Sequence, residues 1–216
     1  MSTFTENWLP GPKSSLFYTR NYQPASGSPR GVVVFVHGFA EHVQRYEHVH
    51  KRWADRGFVV FTFDQRGFGR TALDAKKSSD AVYGRTGDAD QIADIVWALN
   101  VAQEGNPTVP HFLMGHSMVR HSISPPFTTS LTTRGQTNQG GALVLSFATR
   151  NNTQDSVSQL SGIIATSPCI RLTKPPSGIV RWLGSRVRSI LPNQNIPASV
   201  EPKVRLFSPD TPFKSP

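Results

Sequence analysis

The chain has 216 residues, 37% hydrophobic and 17% charged, which fits one globular domain with a sizeable core and excludes a disordered polymer. Its single cysteine, Cys169, excludes a disulfide within the chain and points to a reducing, cytoplasmic setting. The formal charge of +9 is uneven: residues 170–216 hold 8 basic and 2 acidic side chains, against 15 and 12 in residues 1–169. No zinc-finger or RNP-type motif accompanies that excess, so it does not point to nucleic acid.

In chain order, the N-terminus has no apolar stretch behind a basic start, so no signal peptide is expected. Residues 14–23 alternate loosely and predict an early strand, followed by the turn-rich PASGSPRG. GVVVFVHG at 31–38 is a β-branched run stopped by Gly38, the pattern of a buried parallel strand. Its core, Val32 to Val36, is the longest apolar run and far too short to span a membrane. Residues 43–56 predict a helix with Tyr46, Val49 and Trp53 on one stripe, closed by Gly57. FVVFTFD at 58–64 predicts a second buried strand, and QRGFGRT a glycine-rich turn. Asp88 to Glu104 predicts a helix capped by Asp88, with Ile92, Ile95, Val96 and Leu99 inside. PHFLMGHSM at 110–118 is a third strand running into a turn. GGALVLSFATR at 140–150 is a helix, and SGIIATSP at 161–168 a fourth buried strand. This rhythm predicts an α/β fold: a mostly parallel sheet with helices on both faces. Residues 119–139 and 204–216 break it, being rich in Ser, Thr and Pro without periodicity.

Gly115-His116-Ser117-Met118 supplies four positions of a G-x-S-x-G elbow. There a serine sits on a tight strand-to-helix turn, flanked by glycines because side chains would collide with neighbouring backbone. The fifth position is Val119. Deleting 119–139 joins Met118 to Gly140 and restores GHSMGGALVLSFA. The segment begins Val-Arg and ends in Gln, compatible with intron boundaries GT and AG, and 204–216 also begins Val-Arg. Both are expected to be aberrant: 119–139 as a retained-intron insert, 204–216 as a read-through tail.

HGFAEHVQRY (37–46) resembles the HGxxEHxxRY stretch of the monoacylglycerol lipase-like serine hydrolases, and DQRGFGRT (64–71) their DxRGxGxS/T turn. With GHSM…GGA, SGIIATSP and the KPP at 174–176, the resemblance covers about residues 6–118 and 140–203. It implies the α/β-hydrolase fold, incomplete at the C-terminal end. Residues 1–169 would be the N-terminal part of the core and 170–203 the start of a lid. It implies Ser117 as nucleophile and the backbone N–H groups of Phe39 and Met118 as the oxyanion hole. His37, Gly38, Gly115 and Gly140 would support them. It also implies an acid and a histidine after later strands, which this chain is expected to lack, and so inactivity as written. No metal or cofactor is expected.

The implied reaction is hydrolysis of a lipid carboxylic ester, foremost monoacylglycerol to glycerol and fatty acid, once correctly spliced. A lysophospholipase, carboxylesterase or peptidase of the same superfamily is the alternative, and a non-catalytic truncated product the other. Residues 178–191 (GIVRWLGSRVRSIL) place Ile179, Leu183, Val187 and Ile190 on one helical face among Arg181, Arg186 and Arg188. Such a helix can lie on a membrane or lipid-droplet surface, or pack on the sheet as an ordinary surface helix.

Overall fold

The computed structural model describes residues 3–74, 76–78, 81–116 and 140–168. The expectations for 119–139, 170–203, 178–191 and 204–216, and for Cys169, lie outside the described residues. Six strands form one sheet: β1 (Phe4–Pro10), β2 (Leu16–Tyr22), β3 (Gly31–Val36), β4 (Phe58–Phe63), β5 (His111–His116) and β6 (Gly162–Thr166), in the order β1-β2-β4-β3-β5-β6. β4, β3, β5 and β6 run parallel, while β1 and β2 are antiparallel. The mostly parallel α/β sheet is therefore present.

The β-branched run of β3 explains its central place, because both of its faces are covered. Val32, Val34 and Val36 join Phe61 and Leu113 under α3 (Asp88–Gly105) and α4 (Gly140–Thr149). Phe35, with Val60 and Tyr22, packs instead under α1 (Glu47–Asp55). Helices thus cover both faces. The lone glycine after α1, Gly57, takes φ +90° and gives its N–H to the Ala54 carbonyl, closing the helix as expected.

Four details depart from the sequence expectation. The stretch 43–56 opens with a 3-10 turn (Val43–Tyr46), and its buried face carries His50 and Ala54 rather than Val49. Asp88 is the first residue of α3, not its cap, which is Gly87. There it pairs with Arg150 at the far end of α4. β6 is half-buried rather than buried, with Ile164 45% exposed. Two short helices, α2 (Gly69–Leu73) and α5 (Gln154–Ser158), and the strand β1 carry too few periodic positions to be read in advance.

Candidate active site

The turn leaving β3 begins at His37, which is wholly buried. Its Nε2 accepts the Gln65 N–H at 2.9 Å, so Nδ1 carries the proton and donates to the Gly38 carbonyl at 2.7 Å. Burial pushes its pKa down, so the ring stays neutral. With both nitrogens engaged, His37 is a holder of backbone rather than a base. Gly38 gives its N–H to Glu41 Oε2 at 2.9 Å, and the Tyr46 hydroxyl donates to the same oxygen. Arg45 Nε lies 3.3 Å from the other oxygen of Glu41. Burial, with Glu41 beside it, raises the Tyr46 pKa. A Cβ on Gly38 would stand 2.6 Å from Glu41 Oε2, so a side chain there would displace the Glu41 carboxylate from the Gly38 N–H. Phe39 follows, half-exposed, its ring edge-on to Phe68 at 5.1 Å. Among the described residues no acceptor takes the Phe39 N–H.

The turn leaving β4 grips the first one. Asp64 is buried, and its two oxygens accept the Val43 and Arg70 N–H groups, each at 2.7 Å. It thereby holds the start of the 3-10 turn and of α2 at once. The Gln65 side chain donates to the His37 carbonyl at 2.6 Å and accepts from Gln91 at 3.2 Å. Arg66 makes a two-pronged pair with Asp94 at 2.7 and 3.0 Å and donates to the Pro12 carbonyl. Gly69 has φ +53°, and a Cβ there would collide with the Asp64 carboxylate.

β5 ends at His116, whose Nδ1 lies 2.8 Å from the Thr166 hydroxyl. Ser117 and Met118 lie outside the described residues. The chain is described again from Gly140, buried at the start of α4. A Cβ on Gly140 would stand 2.5 Å from the carbonyl oxygens of both His37 and His116. A Cβ on Gly115 would overlap the Gly140 carbonyl and lie 2.7 Å from Val144 Cγ1. The N-terminus of α4 therefore abuts the ends of β3 and β5, as a strand-to-helix elbow requires.

Of the residues expected at the site, His37, Gly38, Phe39, Gly115 and Gly140 meet at one end of the sheet. Glu41, Tyr46, Asp64, Gln65, Arg66 and Gln91 were not assigned roles from sequence. The available signal was position: all but Gln91 stand in the two motifs directly after strands. Among the described residues no group of three or more His, Cys, Asp or Glu side chains could hold a metal.

Residues 27–118 match the family described as Serine aminopeptidase, S33. The chain is 37% identical over 90 residues to the monoacylglycerol lipase of Mycolicibacterium smegmatis, covering 42% of this chain and 30% of that protein. It is 28% identical over 179 residues to the putative monoglyceride lipase of Schizosaccharomyces pombe, covering 82% and 39%. A thermostable carboxyl esterase of Bacillus coagulans, solved with glycerol, superposes with TM-score 0.54 at 27% identity, covering 76% of this chain and 44% of that one. The chain thus spans less than half the length of each of these relatives.

Proposed function

We propose that this chain, a monoacylglycerol lipase-like α/β-hydrolase, carries the nucleophile and oxyanion hole of a lipid esterase. Ser117 attacks the ester carbonyl, and the N–H groups of Phe39 and Met118 hold the oxyanion that forms. The carbon–oxygen bond to glycerol then breaks, the serine proton passing to the leaving oxygen, which gives free glycerol and an acyl-serine that water hydrolyses to fatty acid and Ser117. Donors already fixed around the developing charge are worth a few kcal/mol in such a step. His37 is not the base, since both of its ring nitrogens are engaged.

One observation carries the reading. A Cβ on Gly115 would overlap the Gly140 carbonyl, and one on Gly140 would run into the carbonyls of Val36, His37 and His116, although residues 116–139 separate the two glycines in sequence. That contact is what a nucleophile turn needs of its two glycines, and joining Met118 to Gly140 supplies it with the usual spacing. Residues 119–139 are then no part of the working enzyme, and the chain containing them is inactive on esters. Residues 178–191 would meet a lipid surface. Among the described residues no helix is long and apolar enough to cross a membrane.

The test is the product of the mature message. With Met118 joined to Gly140, it is expected to hydrolyse 1-oleoylglycerol and to react with a fluorophosphonate at Ser117, both lost in Ser117→Ala. The chain retaining 119–139 should neither turn over the ester nor react with the probe, because its nucleophile is displaced. A mature message that keeps 119–139, or ester turnover that survives Ser117→Ala, overturns the reading. The family description favours a second substrate class, N-terminal peptide amides. Aminoacyl amides assayed beside the ester decide between them.

A further inference from the structure

We infer that Gln65 is a positioning residue for the oxyanion hole, aiming the Phe39 N–H through His37. The inference rests on the proposed role of Phe39 and deepens it.

One peptide unit joins residues 38 and 39. Its carbonyl belongs to Gly38 and its N–H to Phe39, and in a planar trans peptide the two point in opposite directions. Whatever pins the Gly38 carbonyl therefore aims the Phe39 N–H. The shorter of its two pins is His37 Nδ1–H, 2.7 Å from that oxygen, and the Glu41 N–H adds a longer bond at 3.3 Å. Imidazole can donate from Nδ1 while neutral only if Nε2 is the acceptor. The Gln65 N–H, 2.9 Å from Nε2, imposes that tautomer.

The Gln65 side chain completes the hold. Its amide nitrogen donates to the His37 carbonyl at 2.6 Å, and its oxygen accepts from Gln91 at 3.2 Å. Gln65 is 2% exposed and Gln91 4%, so water cannot replace either bond. Carbonyl 37 is held by Gln65, N–H 38 by Glu41 and carbonyl 38 by the His37 ring. With those groups fixed, the Phe39 N–H has one direction left. This converts a flexible His-Gly-Phe turn, with a glycine at its centre, into a fixed donor.

Two readouts on Gln65→Leu test the inference. Gln65→Leu keeps the main-chain N–H on Nε2 but loses the amide on carbonyl 37, which loosens the turn. On the 216-residue chain the variant should therefore exchange the His37 Nδ1–H at least about 10-fold faster than the parent. On the product of the mature message, kcat for 1-oleoylglycerol should fall about 100-fold with KM unchanged, the size expected for a misplaced donor. Gln65→Glu should recover kcat as pH falls and the introduced carboxyl gains a proton to donate to carbonyl 37. A merely structural role would not produce that pH profile. Ser158→Ala, exposed on α5 and outside both turns, is the control and should change kcat less than about 3-fold. Unchanged exchange, unchanged kcat, or loss of kcat without loss of protection each overturn the inference. An inactive parent would sink the functional reading, yet the exchange measurement would still decide the role of Gln65. Should Gln65→Leu fail to fold, Gln65→Glu carries the same two readouts.

Discussion

The turns that leave β3 and β4 and the turn that leaves β5 meet at one end of the sheet, but by different means. The first two are held by side chains that bond to backbone: His37, Glu41, Asp64 and Gln65 each take or give a main-chain hydrogen bond. The third depends on side chains that are missing, because Gly115 and Gly140 leave room for α4 to touch the strand ends. The first kind of turn is limited by bonds and the second by space. A bond-limited turn loses energy when a partner is cut; a space-limited turn loses it when atoms are added.

Arg66→Ala should break the bond-limited side hardest. Arg66 holds the Asp94 carboxylate, which is 2% exposed, through both oxygens. Burial pushes the Asp94 carboxyl up to about 6 even with Arg66 beside it. Cutting the cation leaves an uncompensated buried charge, expected to cost about 3–5 kcal/mol in urea unfolding. Arg66→Lys should recover little, since one ammonium cannot serve both carboxylate oxygens and the Pro12 carbonyl.

Gly115→Ala is the matching experiment on the space-limited side. The added methyl would overlap the Gly140 carbonyl and crowd Val144. Backbone cannot step aside as a flexible side chain can, so the expected loss is about 3 kcal/mol. Amide exchange should show it first in α4. The comparison would fail if Gly115→Ala proved neutral while Arg66→Ala was severe.

Acid should separate the faces of the sheet. His50 is fully buried among Tyr22, Phe35, Tyr46 and Trp53, and burial pushes its pKa down to about 3. Among the described residues neither ring nitrogen has a hydrogen-bond partner. The unfolded ring titrates near 6.5. Above that value both states are neutral and His50 adds no pH dependence. As pH falls below it, the unfolded chain takes up a proton that the folded chain refuses, until about pH 3. At pH 5 the folded state should therefore be about 2 kcal/mol less stable than at pH 7 from this group alone. His50→Leu should flatten that slope, measured by urea titrations at both pH values.

How much of this was legible in sequence follows the same division. The strands and the long helix were legible because burial imposes period: the valines of β3 and the Ile92, Ile95, Leu99 stripe admit few alternatives. The glycines of the elbow were legible too, since only glycine fits where backbones touch. The bonding partners were not. Nothing in the string DQRGFGRT says that Gln65 reaches carbonyl 37 or that Asp64 bonds the Val43 N–H, because those contacts join turns 20 or more residues apart. His50 escaped for a related reason: a polar residue on a helix reads as exposed, and only the fold reveals an aromatic box around it. β1 went unread because its seven residues alternate weakly and pair with β2 along one edge.

The smallest effect tests how α4 is tied to its neighbour. Asp88 starts α3, and Arg150 beyond the end of α4 pairs with it across the structure. Both side chains are about a third exposed, so water screens the pair and its worth is small, about 0.5 kcal/mol. Asp88 also sits in the first helical turn, where a negative charge is favoured by the helix dipole. Asp88→Asn keeps the shape and removes the charge, so it should cost roughly 0.5–1 kcal/mol, shrinking as salt is raised towards 1 M. Arg150→Met removes the pair and the bond from Arg150 Nε to Ser146 Oγ at 3.1 Å but leaves the dipole share of Asp88, so it should cost no more than Asp88→Asn. If instead either variant matched the loss of Gly115→Ala, α4 would be held by charge rather than by the room its glycines leave, and the contrast between the two kinds of turn would not stand.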